Sequence, residues 1–154
     1  MNSVGIDVSK GRSTVAVMRP FGEVVISPFE VRHTNSELSA LARLLKSLDG
    51  ETRVVMEATE NYHTPVAKVL HDARLYVSVV HAKLIHGYGN NDLRRVKTDR
   101  KDAVKPANYG LNRWLTLPRY FPEEDTRLLL KNCYRQYKQY SKVQTVLKNN
   151  LISL

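Results

Sequence analysis

The chain is short of cysteine, of long apolar runs and, in one half only, of acid. Its single cysteine, Cys133, excludes an internal disulfide and any cysteine-based metal cluster. No apolar run reaches membrane-spanning length, and the first residues lack the basic start and apolar core of a signal peptide, so a cytoplasmic protein is expected. Residues 1–80 carry nine bases and nine acids, residues 81–119 nine and three, and residues 120–154 six and three. The net charge of +9 therefore arises wholly in the second half. A regional excess of that size favours a polyanionic partner, DNA or RNA, with an anionic membrane surface as the competing reading. An apolar fraction of 42 % over 154 residues suits one domain with a core of its own.

The opening reads as a three-stranded antiparallel meander: Ser3 to Val8, Ser13 to Met18 after the turn at Gly11, and Val24 to Phe29 after Pro20-Phe21-Gly22-Glu23. Thr34 or Asn35 caps a helix with Glu37 near its third position, and Leu38, Leu41, Leu44, Leu45 and Leu48 mark its apolar face. Arg53 to Met56 is a short strand running into Glu57, Thr64-Pro65 opens a second helix, and Leu75 to Val80 is a further strand. This order predicts an α/β, ribonuclease H-like (RuvC-like) mixed five-stranded sheet with flanking helices, in which the fourth strand pairs beside a central first strand. Asp7 and Glu57 then become neighbours. Residues 81–98 read as a polar, basic loop, followed by a helix that carries Asp99 and Asp102 and runs to about Asn112.

From Pro122 a last helix is predicted, with Pro122 in its first turn and Glu123-Glu124-Asp125 at the positive end of its dipole. Leu130, Cys133, Tyr137, Tyr140, Gln144, Leu147, Leu151 and Leu154 follow at steps of three and four, the seam of a coiled coil that packs on a partner helix. The seam runs to the last residue, so the expectation is a catalytic domain over 1–118 and, over 119–154, the start of an oligomerisation helix of a longer protein.

The chemistry rests on four carboxylates. Two-metal phosphodiester cleavage or transfer uses acids that flank and bridge ions about 4 Å apart, and Mg²⁺ or Mn²⁺ takes oxygen ligands while keeping several waters. Asp7, Glu57, Asp99 and Asp102 supply such a set, with Asp7 central because a carboxylate inside an apolar strand is otherwise costly. The bland alternatives are a solvent-facing strand end for Asp7 and a surface ion-pair lattice for Asp99 and Asp102; Glu60 rivals Glu57. Lys10, Lys83, Arg94, Arg95, Lys97, Arg100, Lys101, Lys105 and Arg113 are candidate nucleic-acid contacts, and Arg135, Lys138 and Lys142 give the last helix a basic outer face. The five histidines show no ligand spacing, with His81 and His86 the candidates for phosphate contact. Tyr109, Trp114 and Tyr120 either stack on bases or pack a hydrophobic cluster, and the cluster is favoured.

Three ordered motifs carry a resemblance: Gly5-Ile6-Asp7-Val8-Ser9-Lys10, Met56-Glu57-Ala58-Thr59 followed by Tyr62, and Lys97-Thr98-Asp99-Arg100-Lys101-Asp102-Ala103. Together they resemble the N-terminal domain of the DEDD-type transposases of bacterial insertion sequences, the family that includes the Piv DNA invertase. The resemblance prefers Glu57 to Glu60. It implies a DNA recombinase that acts as a dimer or tetramer, adds a serine nucleophile on a missing C-terminal domain and, in several members, uses an element-encoded bridge RNA. It also implies that the fragment is inactive by itself. The departures are Pro106, where an uninterrupted apolar helix is more usual, and Glu60 in place of a glycine. Two other functions fit the residues less well: a stand-alone Holliday-junction resolvase, and a nucleic-acid-binding and dimerisation module without catalysis.

Overall fold

The structure, a computed structural model, describes residues 1–59, 61–88 and 102–153. Five strands, β1 (Asn2–Ser9), β2 (Arg12–Arg19), β3 (Glu23–Arg32), β4 (Thr52–Glu57) and β5 (Tyr76–Val80), form one sheet in the order β3-β2-β1-β4-β5. The β1–β2 and β2–β3 pairs are antiparallel, and β1–β4 and β4–β5 are parallel. The mixed sheet with a central first strand is therefore the one expected. The helices are α1 (Asn35–Lys46), α2 (His63–Asp72), α3 (Ala82–Tyr88), α4 (Val104–Asn112) and α5 (Asp125–Ile152). The chain divides into two compact units, Met1–Phe121 and Pro122–Leu154.

Alternation along β1 sorts the sheet into two faces. Val4, Ile6 and Val8 join Val54, Met56 and Val77 beneath Leu38, Leu41, Leu45, Val66 and Leu70 of α1 and α2, all in one buried cluster. Ser3, Gly5 and Asp7 point the other way. On that side the Ser3 hydroxyl donates to the Ala107 carbonyl at 2.7 Å, and Val55, Val80, Ile85 and Leu117 make a second, smaller cluster. Ser78, on the same face as Val55, keeps a buried hydroxyl with no partner among the described residues. Removing it is expected to help: Ser78→Ala should stabilise the chain by about 1 kcal/mol in urea unfolding, because an unsatisfied buried hydroxyl costs about that much. A loss of stability would show that the hydroxyl has a partner.

The predicted start of α1 is present. Thr34 caps it, accepting from the Glu37 N–H at 3.3 Å, while the Glu37 carboxylate reaches back to the Arg32 N–H at 2.6 Å. Leu38, Leu41 and Leu45 are buried, but Leu44 stays exposed at the rim of that face. Two predicted features differ. The first residues of the expected 81–98 loop form α3, because His81 Nδ1 accepts from the Lys83 N–H and Ile85 inserts into the second cluster; the remainder, from residue 89, lies outside the described residues. Pro122 is outside the last helix, which begins at Asp125.

At the far edge of the sheet the segment after α4 returns along β5. The Tyr120 N–H donates to the Val77 carbonyl at 2.8 Å and the Tyr76 hydroxyl to the Leu117 carbonyl at 2.7 Å. Arg53 pins the same segment: its guanidinium lies 4.5 Å from the ring centroids of both Tyr76 and Trp114, and it donates to the Trp114 carbonyl. The aromatic residues around Arg113 and Arg119 therefore pack, as favoured from the sequence. In α5 the seam residues Leu130, Tyr137, Tyr140, Leu147 and Leu151 are exposed, as is Cys133.

Candidate functional site

Parallel register puts Ile6 opposite Met56, so Asp7 and Glu57 come next on adjacent strands, at the carboxyl ends of β1 and β4. The space beyond the carboxyl ends of parallel strands is where open α/β sheets bind ligands. Thr59 ties the two strand ends together, its hydroxyl lying 3.4 Å from the Val8 carbonyl and 3.3 Å from that of Glu57. Asp7 and Glu57 are each half-buried, so the polar atoms of both remain reachable.

Asp102 arrives by packing. A Cβ on Gly5 would stand 2.5 Å from the Ala107 nitrogen and nearer still to the Ala103 carbonyl oxygen, so the start of α4 lies directly on the bare backbone of β1. Gly110 of the same helix faces Ser3 and Val55. Hence α4 runs antiparallel to β1, and Asp102, one residue before Ala103, comes to the end of the sheet that carries Asp7. Pro106 explains where the helix begins. It has no N–H to give the Asp102 carbonyl four residues back, so α4 starts at Val104 and Pro106 falls in its first turn, where a helix tolerates it. The helix then continues to Asn112.

Both described acids of the later motifs face bases. Asp102 Oδ1 is 3.0 Å from Lys105 Nζ, and Glu57 Oε2 is 3.5 Å from His86 Nε2 on α3. Glu57 keeps only 19 % of its side-chain surface, against 60 % for His86. Lys10 follows the end of β1, and Lys83 lies on α3, so with Lys105 and His86 they gather cations at the carboxylate end; all are exposed. Arg113, past the other end of α4, is separated from them. Asp99, Glu60, Arg94, Arg95, Lys97, Arg100 and Lys101 lie outside the described residues, while Arg135, Lys138 and Lys142 are exposed on α5.

Among the described residues no group of three or more His, Cys, Asp or Glu side chains is disposed to hold a metal ion. The donor chemistry nevertheless suits one: Asp7, Glu57 and Asp102 offer only hard carboxylate oxygens, drawn from three separate elements. The sequence marked His86 as a surface or polar-packing residue and a candidate phosphate contact, and its approach to Glu57 was missed because no spacing signal exists for it. Gly5 was also missed as the seat of α4, although a glycine two residues before an acid within an apolar strand is a signal of close backbone approach. Ser9, two residues after Asp7, donates locally to the Arg12 carbonyl at 3.0 Å. His33 is likewise structural, paired with the Ser13 hydroxyl at 2.8 Å and held below its ordinary pKa by burial.

The same fold occurs in solved structures. RuvC of Thermus thermophilus aligns with a TM-score of 0.54 and 12 % identity, covering 78 % of this chain and 100 % of that one. The T. thermophilus RuvC solved in complex with a Holliday junction substrate aligns with a TM-score of 0.52 and 12 % identity, covering 78 % and 99 %. At such identity the likeness establishes the fold. No helix among the described residues is long and apolar enough to cross a membrane. No curated protein matches the sequence. A family model for transposases, that of the IS110 group with its DEDD acids, matches residues 4–154. Nearly the whole length is covered, and the chain belongs to the DEDD-type IS110 transposase family.

Proposed function

We propose that this chain is the metal-dependent catalytic part of a DNA recombinase, in which Asp7, Glu57, Asp102 and Asp99 form one carboxylate set for strand cleavage and exchange. The observation that carries the reading is the placement of Asp7 and Glu57 on adjacent parallel strand ends; the seating of α4 on Gly5 puts Asp102, just before that helix, toward the same end of the sheet. These carboxylates would hold Mg²⁺ or Mn²⁺, which would supply Lewis-acid stabilisation to the phosphodiester. Lys10, Lys83 and Lys105 hold the phosphate backbone against that end of the sheet, and Arg94, Arg95, Lys97, Arg100 and Lys101 are further nucleic-acid contacts. Lys105 Nζ lies 3.0 Å from Asp102 and His86 Nε2 lies 3.5 Å from Glu57, so each of these acids has a basic group beside it. An element-encoded guide RNA and a homo-oligomer formed through the α5 seam belong to the same reading, on the strength of the family and of the exposed apolar row.

Manganese binding tests the site without requiring turnover. Electron paramagnetic resonance titration of the chain in the presence of duplex DNA is expected to detect bound Mn²⁺, and Asp7→Asn and Glu57→Gln are each expected to weaken it by more than about tenfold. Equal Mn²⁺ binding by both variants would sink the carboxylate assignment.

A further inference from the structure

One face of α5 is left unused by the carboxylate site. After Asp125 the chain has six bases, Arg127, Lys131, Arg135, Lys138, Lys142 and Lys148, and no acid. The first five follow at steps of four, four, three and four. At about 100° and 1.5 Å per residue they fall within an arc of about 80° along about 22 Å of helix. All five are exposed. The row of Cys133, Tyr137, Tyr140, Leu147 and Leu151 occupies the opposite side of the same cylinder, so whatever helix covers that row leaves the bases in water.

Like charges three and four apart on a helix repel, and the one acid of α5, Asp125 at its first position, lies off this stripe. The ion pair that touches the stripe comes from before the helix: Glu123 bonds to Lys131 Nζ, which holds its carboxyl below the usual range. Lys138 Nζ lies 5.5 Å from the Tyr134 ring centroid. A single-sign row of this kind, rigid and straight, is complementary to a chain of phosphates and carries no base-reading geometry.

We propose that this stripe is a binding surface for the backbone of duplex DNA, separate from the carboxylate end of the sheet and independent of sequence. The choice of DNA rests on the proposed function; the binding of a polyanion does not.

Fluorescence anisotropy of the 154-residue chain on a duplex of arbitrary sequence, taken over a range of salt, provides the test. The triple variant Arg135→Gln, Lys138→Gln, Lys142→Gln is expected to bind on the order of 100-fold more weakly at low salt. The slope of log affinity against log salt should fall by about 3, one for each lost phosphate contact. Glu123→Gln, which releases Lys131 without touching the helix, is expected to steepen the slope by about 1. The same changes are expected in an Asp7→Asn background, so failure of the stripe and failure of the metal site are separate results. An unaltered slope in the triple variant, with helicity intact by circular dichroism, overturns the proposal. Tighter binding to an RNA duplex of equal length overturns the assignment to DNA.

Discussion

Asp7→Asn in the full-length protein is expected to reduce strand cleavage and exchange by more than about 100-fold, beyond what losing an outer-sphere partner of a metal ligand costs. Duplex DNA binding and thermal stability should stay close to those of the parent. The exchange keeps the shape of a half-buried side chain at the end of a strand and removes only its anionic oxygen, the atom a hard divalent ion needs. Glu57→Gln acts at the neighbouring strand end and should give the same phenotype, with no additive loss when the two are combined, because residues serving one site fail together. Recombination assays paired with DNA-binding measurements decide it. Wild-type recombination by Asp7→Asn would mean that the carboxylate holds the strand end and nothing else.

Gly5→Ala should be the most disruptive single methyl in the chain. The added carbon meets two backbone atoms of α4, the Ala103 carbonyl oxygen and the Ala107 nitrogen, and neither can swing aside as a side chain can. The helix must retreat from β1, breaking the Ser3 to Ala107 hydrogen bond as it goes. A loss of about 3 kcal/mol is expected, the upper part of the range for overpacking a core, measured by urea unfolding. Because Asp102 rides on the start of this helix, Mn²⁺ affinity should fall as well although no carboxylate has been changed. Asp7→Asn loses metal at unchanged stability, whereas Gly5→Ala loses both. A Gly5→Ala protein as stable as the parent would refute the close seating of α4.

Much of this architecture could be read from residue patterns because the deciding interactions are local. Alternation set the strands, Thr34 and Glu37 marked the start of α1, and the order of elements placed β4 beside β1. What escaped were contacts between distant segments. The stretch from 81 to 98 is polar and basic as a whole, and Ile85, placed in one cluster with Leu117, anchors α3. The meeting of His86 with Glu57 spans an intervening helix and strand, and no spacing rule connects them. Pro106 marks an interruption: Asp102 is helical, Ala103 is a turn, and α4 starts at Val104, because the proline has no N–H for the Asp102 carbonyl. Asp7 and Glu57 were legible because β pairing converts sequence order into adjacency. Asp102 was legible as an acid, but its route to the site through Gly5 was not.

The segment from Leu117 to Tyr120 also limits how copies of this chain can join. By bonding to the Val77 carbonyl, Tyr120 occupies the outer side of β5, so that edge offers no open ladder for another molecule to extend. The opposite edge is β3, where Pro28 supplies no N–H and Glu23, Glu30 and Arg32 are exposed. Neither margin invites a foreign strand. Growth of an assembly by sheet extension is therefore discouraged at both sides, which leaves association to helical surfaces.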